Sequence, residues 1–248
     1  MKKIVAIGGG EIGRPGYPIE TEKIDREIIR LTGKKHPKAL LLPTASKDSL
    51  VYWETFQKYY GKKLGCRTEV LFLIREKPNK KEIAKKILGA DLIYVGGGNT
   101  LMMMRVWRRI GVDKLLKKAW QKGTVMSGLS AGSLCWHKAG HSDSMSFYSP
   151  KHWHYIRVKC LGFVNAINCP HFGSERRQGH FKKFMKKYPE VGIGIDSKCA
   201  VIYLDDKYKI IDSKKNANAY KIYRKKGKVI VEALKKYELR PLKELLRK

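Results

Sequence analysis

The chain has 248 residues, 43% of them hydrophobic, enough for one large domain or two small ones with a substantial core. Its formal charge is +31, from 53 Lys and Arg against 22 Asp and Glu, while no apolar run approaches the length of a membrane-spanning helix. Lys supplies 39 of the basic residues and Arg only 14, spread over the whole sequence. No RNP-like, zinc-finger or helix-turn-helix pattern accompanies them, so specific nucleic-acid recognition is not expected; weak, salt-sensitive adhesion to polyanions is.

The opening MKKIVAIGGG has two lysines before an apolar run. That run, Ile4 to Ile7, is too short for a signal peptide and reads as a first β-strand. The five cysteines, Cys66, Cys135, Cys160, Cys169 and Cys199, are scattered and form no C-x-x-C pair. They suit buried thiols in a reducing compartment, and a cytoplasmic location is expected.

Short apolar runs then alternate with amphipathic ones. Residues 24–31 read as a helix, 39–42 as a strand, 50–60 as a helix, 68–73 as a strand and 80–88 as a helix. Residues 91–95 form the next strand, followed by Gly96-Gly97-Gly98-Asn99 and helices over 100–110 and 112–122. A short strand over 124–127 runs into Ser127-Gly128-Leu129-Ser130-Ala131-Gly132-Ser133, with Leu134-Cys135-Trp136 beginning a helix. Residues 141–155 are polar and aromatic and read as loops or an inserted hairpin. Strands at 166–168 and 191–195 flank a helix over 178–187. Residues 200–233 read as successive strands with a Lys225-Lys226-Gly227 turn, and 242–246 as a short terminal helix. The alternation predicts a parallel sheet covered by helices on both faces, and nothing resembling a linker or repeat divides residues 1–248 into more than one domain.

Glycines cluster after two predicted strands. Gly8-x-Gly10-x-x-Gly13 has dinucleotide-binding spacing, but Pro15, Gly16 and Pro18 follow where the phosphate-binding helix should start, so no such cofactor is expected. Gly96–Gly98 suit either close packing at a turn or backbone N–H groups aimed at a developing oxyanion. Gly128-x-Ser130-x-Gly132 lies between a strand and a helix start, the setting of a nucleophile elbow; there the Ala131 N–H can also donate to an oxyanion. Of seven histidines, His171 stands apart: it follows Asn168-Cys169-Pro170, where a strand meets a loop, as the base of a triad requires. His137 and His141 have i, i+4 spacing, but a lone pair of histidines is a weak metal signal. Only 41 residues separate Ser130 from His171, which disfavours the α/β-hydrolase order of nucleophile, acid and histidine.

YVGGGNT (Tyr94–Thr100), GLSAGS (Gly128–Ser133) and CPHF (Cys169–Phe172), in this order and at these intervals, resemble the peptidase E family of serine peptidases. The likeness runs from IGGGEI to AYKIYRKKGKVI. It implies an α/β three-layer sandwich with a mostly parallel central sheet, like class I glutamine amidotransferases, in which serine replaces the nucleophilic cysteine. It implies Ser130 as nucleophile, His171 as general base, and the N–H groups of Gly98, with Gly97, and of Ala131 as oxyanion hole. No metal or organic cofactor is implied. The expected substrate is a short peptide, as in the family's aspartyl dipeptidases; a homodimer is possible.

The acid of the triad is where the sequence departs. The family's glutamate is expected just after a G-I-x segment, and here Gly194-Ile195-Asp196-Ser197 puts serine in that place, with Asp196 one residue earlier. Asp143, in the region after the nucleophile where the family often carries an aspartate, is the equal alternative. Arg176, just beyond His171, suits a bidentate contact to an aspartyl carboxylate. Two other readings stay open: a non-catalytic binding domain on the same fold, and a protein whose charge serves polyanion binding.

Overall fold

A computed structural model describes residues 1–247, apart from the side chain of Glu175. The chain opens β1 (Lys3–Ile7), α1 (Glu22–Thr32), β2 (Lys38–Leu42), α2 (Leu50–Phe56) and β3 (Arg67–Val70). It continues through α3 (Lys80–Gly89), β4 (Leu92–Val95), α4 (Thr100–Ile110), α5 (Val112–Lys122), β5 (Val125–Leu129) and α6 (Ala131–Leu134). Then come β6 (His137–Ser142), β7 (Ile156–Lys159), β8 (Val164–Pro170), α7 (Glu175–Met185) and β9 (Gly192–Ile195). The last elements are β10 (Cys199–Leu204), β11 (Lys207–Asp212), β12 (Ala219–Lys225), β13 (Lys228–Ala233), β14 (Arg240–Pro241) and α8 (Leu242–Leu246).

Local chemistry fixes several boundaries. Asn79 caps α3 by accepting from the Glu82 N–H, while the Glu82 carboxylate accepts from the Asn79 N–H, both at 3.0 Å. Gly111, in the left-handed region at φ 81°, ends α4 and lets α5 begin at the next residue. The helix expected over 50–60 is α-helical to Phe56 and continues with π-helical hydrogen bonding over Gln57–Lys63.

The strands form two sheets rather than the single, mostly parallel central sheet expected from the sequence. In the first, ordered β14-β11-β10-β1-β5-β4-β2-β3, strands β1 to β5 run parallel and β10, β11 and β14 add on antiparallel. In the second, ordered β13-β12-β9-β8-β6-β7, only β6, β8 and β9 are parallel. The physical cause is connection length. Leu204 pairs with Lys207 and Lys225 with Lys228, leaving two-residue turns at Asp205-Asp206 and Lys226-Gly227. Turns that short join only antiparallel neighbours, whereas each parallel pair needs a crossover.

Alternation along the strands sorts the core. Ile4 and Ala6 of β1 and Leu40 and Leu42 of β2 face one cluster, which includes Met103 and Trp107 of α4 and Ile193 of β9. Val5, Ile7, Ala39 and Leu41 face the opposite one, with Ile24 and Ile28 of α1 and Phe56 of α2. On its far side the second sheet packs Ile167 and Cys169 against Phe181 and Met185 of α7. The first sheet is therefore covered by α1 and α2 on one face, and the second sheet is partly sandwiched between the first and α7.

At the end of β1 a backbone bond from the residue after β8 links the two sheets, and two more tie that end to the start of β10. The Gly8 N–H donates to the Cys199 carbonyl at 2.9 Å, the His171 N–H to the Gly8 carbonyl at 2.9 Å, and the Lys198 N–H to the Gly9 carbonyl at 2.8 Å. The carboxyl ends of β1, β4, β5, β8 and β9 thus converge.

Candidate active site

Ser130 follows β5, the strand between β1 and β4. Its backbone sits at φ 53°, ψ −108°, a region costing a non-glycine residue about 1–3 kcal/mol. The strain is over-determined by packing. A Cβ on Gly132 would lie 2.1 Å from the Val95 carbonyl oxygen, and one on Gly128 would lie 2.4 Å from the same atom. The Ser130 N–H donates to the Ile7 carbonyl at 3.0 Å, tying the turn to β1. The helix expected after the serine is one turn, Ala131–Leu134, and the chain passes almost directly into β6.

His171 stands just past β8, also on the left-handed side at φ 52°. Its Nε2 lies 3.0 Å from Ser130 Oγ. On the other side of the ring, Nδ1 lies 2.9 Å from Ser197 Oγ. With the ring proton on Nδ1, Ser197 accepts that N–H and Nε2 accepts the Ser130 hydroxyl. Burial pushes the His171 pKa below the usual 6.5; the Arg177 guanidinium pushes it the same way, and the Asp143 carboxylate pulls against both. The imidazole is therefore neutral at neutral pH and able to take a proton from the hydroxyl.

Neither aspartate singled out from the sequence hydrogen-bonds His171. Asp143 Oδ2 pairs with Arg177 Nη1 at 2.9 Å, and that buried guanidinium also donates to the His141 carbonyl at 3.1 Å. Asp196 Oδ2 accepts from the Asn218 N–H at 2.9 Å and from the Tyr220 hydroxyl at 3.4 Å. Asp196 and Ser197 lie in the turn between β9 and β10, where the Asp196 carboxylate faces Asn218 and Tyr220 and the Ser197 hydroxyl meets the imidazole. In the sequence Ser197 shows only as a hydroxyl in the place of an acid, and no residue spacing points to its contact with the imidazole.

The hydroxyl and imidazole open onto a cleft of about 920 Å³. Ile12, Val51, Tyr52, Leu129 and Phe147 supply apolar walls. Three cations line it: Arg14 is paired with Glu11, Lys198 with Glu20, and Lys47 forms no ion pair among the described residues. Gly97 and Gly98 lie beside Ser130 in the wall; among the described residues their N–H groups, like that of Ala131, donate to no backbone carbonyl. A Cβ on Gly98 would come 2.3 Å from the Ala45 carbonyl oxygen, and φ is 135° there, so only glycine fits. Arg176 is not part of the lining; its guanidinium lies 5.4 Å from the centre of the Trp153 ring.

The histidines at i, i+4 do not make a metal site together. His137 Nδ1 bonds the Ser133 carbonyl at 2.9 Å and its Nε2 the Tyr203 hydroxyl at 3.0 Å, whereas His141 Nε2 meets His180 Nδ1 at 2.8 Å. Among the described residues no three His, Cys, Asp or Glu side chains gather as metal ligands.

An α/β fold with a hydroxyl–imidazole pair at converging strand ends, beside a cleft, has the equipment of a hydrolase. The chain belongs to peptidase family S51, whose profile matches residues 4–211. It is 32% identical over 227 residues to the uncharacterized peptidase YgaJ of Bacillus subtilis (strain 168), covering 90% of this chain and 92% of that one. It is 37% identical over 97 residues to the uncharacterized peptidase Lmo0363 of Listeria monocytogenes, covering 38% of this chain and 45% of that one. Among solved structures, a peptidase from an acI-B1 Actinobacterium superposes with a TM-score of 0.75 at 18% identity, over 97% of each chain. A putative peptidase E protein from Listeria monocytogenes EGD-e gives 0.59 at 20% identity, over 95% of this chain and all of that one. The family match and the relatives together make the protein a peptidase.

Proposed function

We propose that the protein is a serine-type peptidase of short peptides, with Ser130 as nucleophile and His171 as general base. The observation that carries this reading is the 3.0 Å contact between Ser130 Oγ and His171 Nε2, made by a serine held in a strained turn. Ser130 Oγ attacks the peptide carbonyl carbon while its proton passes to His171 Nε2. The N–H groups of Gly98 and Ala131, with Gly97 beside them, donate to the carbonyl oxygen as it becomes an oxyanion. The C–N bond then breaks, the imidazolium gives its proton to the departing amine, and an ester on Ser130 remains. Water attacks that ester as His171 takes its proton, the second product leaves as an acid, and Ser130 recovers its hydrogen.

The cleft's apolar walls and Lys47, which forms no ion pair among the described residues, suit a short peptide carrying a carboxylate. An N-terminal aspartate is the substrate suggested by the family resemblance; Lys47, which lines the cleft where Arg176 does not, is the candidate partner for its side chain. The test compares wild type with Ser130→Ala on a panel of Asp-X and other dipeptides. Hydrolysis by wild type alone is expected; equal hydrolysis by both proteins overturns the mechanism.

A further inference from the structure

A triad histidine is ordinarily held by a carboxylate, which fixes the tautomer and offsets the positive charge that forms on the ring. Here both nearby acids are engaged elsewhere: Asp143 by Arg177, and Asp196 by the Asn218 N–H and the Tyr220 hydroxyl. The group on His171 Nδ1 is the hydroxyl of Ser197, at 2.9 Å.

We propose that Ser197 is the positioning residue of His171, so that this imidazole is oriented by a neutral acceptor instead of an acid. The inference rests on the reading of Ser130 and His171 as a working pair, but concerns the opposite edge of the ring. The surroundings are built for the contact. A Cβ on Gly9 would fall 2.2 Å from His171 Cε1 and 2.8 Å from Ser197 Oγ, so glycine there leaves just enough space for the two side chains to meet. The backbone around Ser197 is pinned by Asp196 N–H to the Asn218 carbonyl at 2.9 Å and by Lys198 N–H to the Gly9 carbonyl at 2.8 Å.

A hydroxyl and a carboxylate do different things on Nδ1. Either accepts the N–H and so keeps the Nε2 lone pair facing Ser130. Only the carboxylate brings a full negative charge to stabilise the imidazolium. Ser197 therefore supplies orientation without charge, and the ring stays a weaker base than it would be beside an acid. Replacing Ser197 by aspartate restores that charge, and the gain is a signature that a merely structural serine would not give.

The test follows the His171 ring by NMR titration in the full chain, assigned against His171→Asn. Alongside it, the rate of Ser130 labelling by a fluorophosphonate is measured as a function of pH. Wild type is compared with Ser197→Ala, Ser197→Thr and Ser197→Asp. Ser197→Asp is expected to raise the His171 pKa by about one unit or more and to move the acidic limb of labelling with it. Ser197→Ala is expected to slow labelling about tenfold, and Ser197→Thr, which keeps the hydroxyl, to stay within about twofold of wild type. The proposal is overturned if Ser197→Ala and Ser197→Asp both leave titration and labelling as in wild type. It is also overturned if Ser197→Thr, which keeps the hydroxyl, slows labelling as much as Ser197→Ala does. Should Ser130 not be the nucleophile, Ser130→Ala is labelled like wild type while the titration still reports on Ser197, so the two failures are distinguishable.

Discussion

At the residue level the site is governed by where charge is missing. His171 is pushed below the usual 6.5 by burial first and by Arg177 second. If His171 is the general base proposed above, the reaction needs the neutral ring, and kcat/KM should fall on acidification with a midpoint below 6.5; a midpoint above 6.5 contradicts that ordering. Lys47 and Arg176 make a paired test of specificity. Lys47→Ala should raise KM for acidic dipeptides several-fold and leave neutral ones nearly unchanged, since an exposed charge contact is worth about 0.2–1 kcal/mol. Arg176→Ala, outside the cleft lining, should alter neither; kinetics on the same dipeptides decide.

At the level of elements, the strand–turn–helix at Ser130 depends on two absent side chains. Gly132→Ala puts a carbon 2.1 Å from the Val95 carbonyl and must push the turn off β4. A loss of activity of at least about 100-fold is expected, because displacing a reacting group by about 1 Å is enough for that. A crystal structure showing Ser130 unmoved, with activity retained, would contradict it. These elements also show what the sequence could reveal. Strands β1 to β5 were legible as short apolar runs between amphipathic helices, and the β12–β13 hairpin from its Lys-Gly turn. The split into two sheets was not, because it depends on which distant strands pair; β8 and β9 read locally like more of the same sheet, and β6 falls between a helix start and a stretch read as loops. At the site, Ser130 and His171 stood out as strand-end residues with small neighbours. The partner on Nδ1 did not, since choosing between Asp196 and Ser197 takes the direction of a side chain, which no spacing rule gives.

At the level of the whole molecule, buried titratable groups set the response to acid. His137 is driven to about 4 and His141 to about 2, both by burial first. Each folded-state value lies below the unfolded one near 6.5, so the unfolded chain binds more protons. Stability is therefore full above pH 6.5 and is lost as pH falls toward 4 and below. Asp25 opposes this: burial lifts its carboxyl to about 6, so its own contribution weakens as pH rises from about 4 to 6. Two histidines against one aspartate predict a net fall in Tm on acidification from pH 7 to pH 4. His137→Gln should flatten the curve, and an unchanged slope would show that His137 is not responsible. The +31 charge makes a separate prediction. Binding to heparin at low ionic strength should be lost below about 0.3 M salt, as counterion release requires for non-specific contacts; retention above that would indicate a dedicated polyanion site.

The stitches at Gly8 and Gly9 have a mechanical consequence. Ser130 rides on the first sheet and His171 on the second; the Ser130 N–H on the Ile7 carbonyl and the His171 N–H on the Gly8 carbonyl tie both to the end of β1, above the core the two sheets share. On the proposed mechanism hydrolysis is in that sense a strain gauge for the seam: the sheets need to slip by only an ångström or so for the proton to lose its path, while every strand remains paired. Mild denaturant should extinguish turnover before far-ultraviolet ellipticity changes, and ligands that fill the cleft should bring the two curves back together.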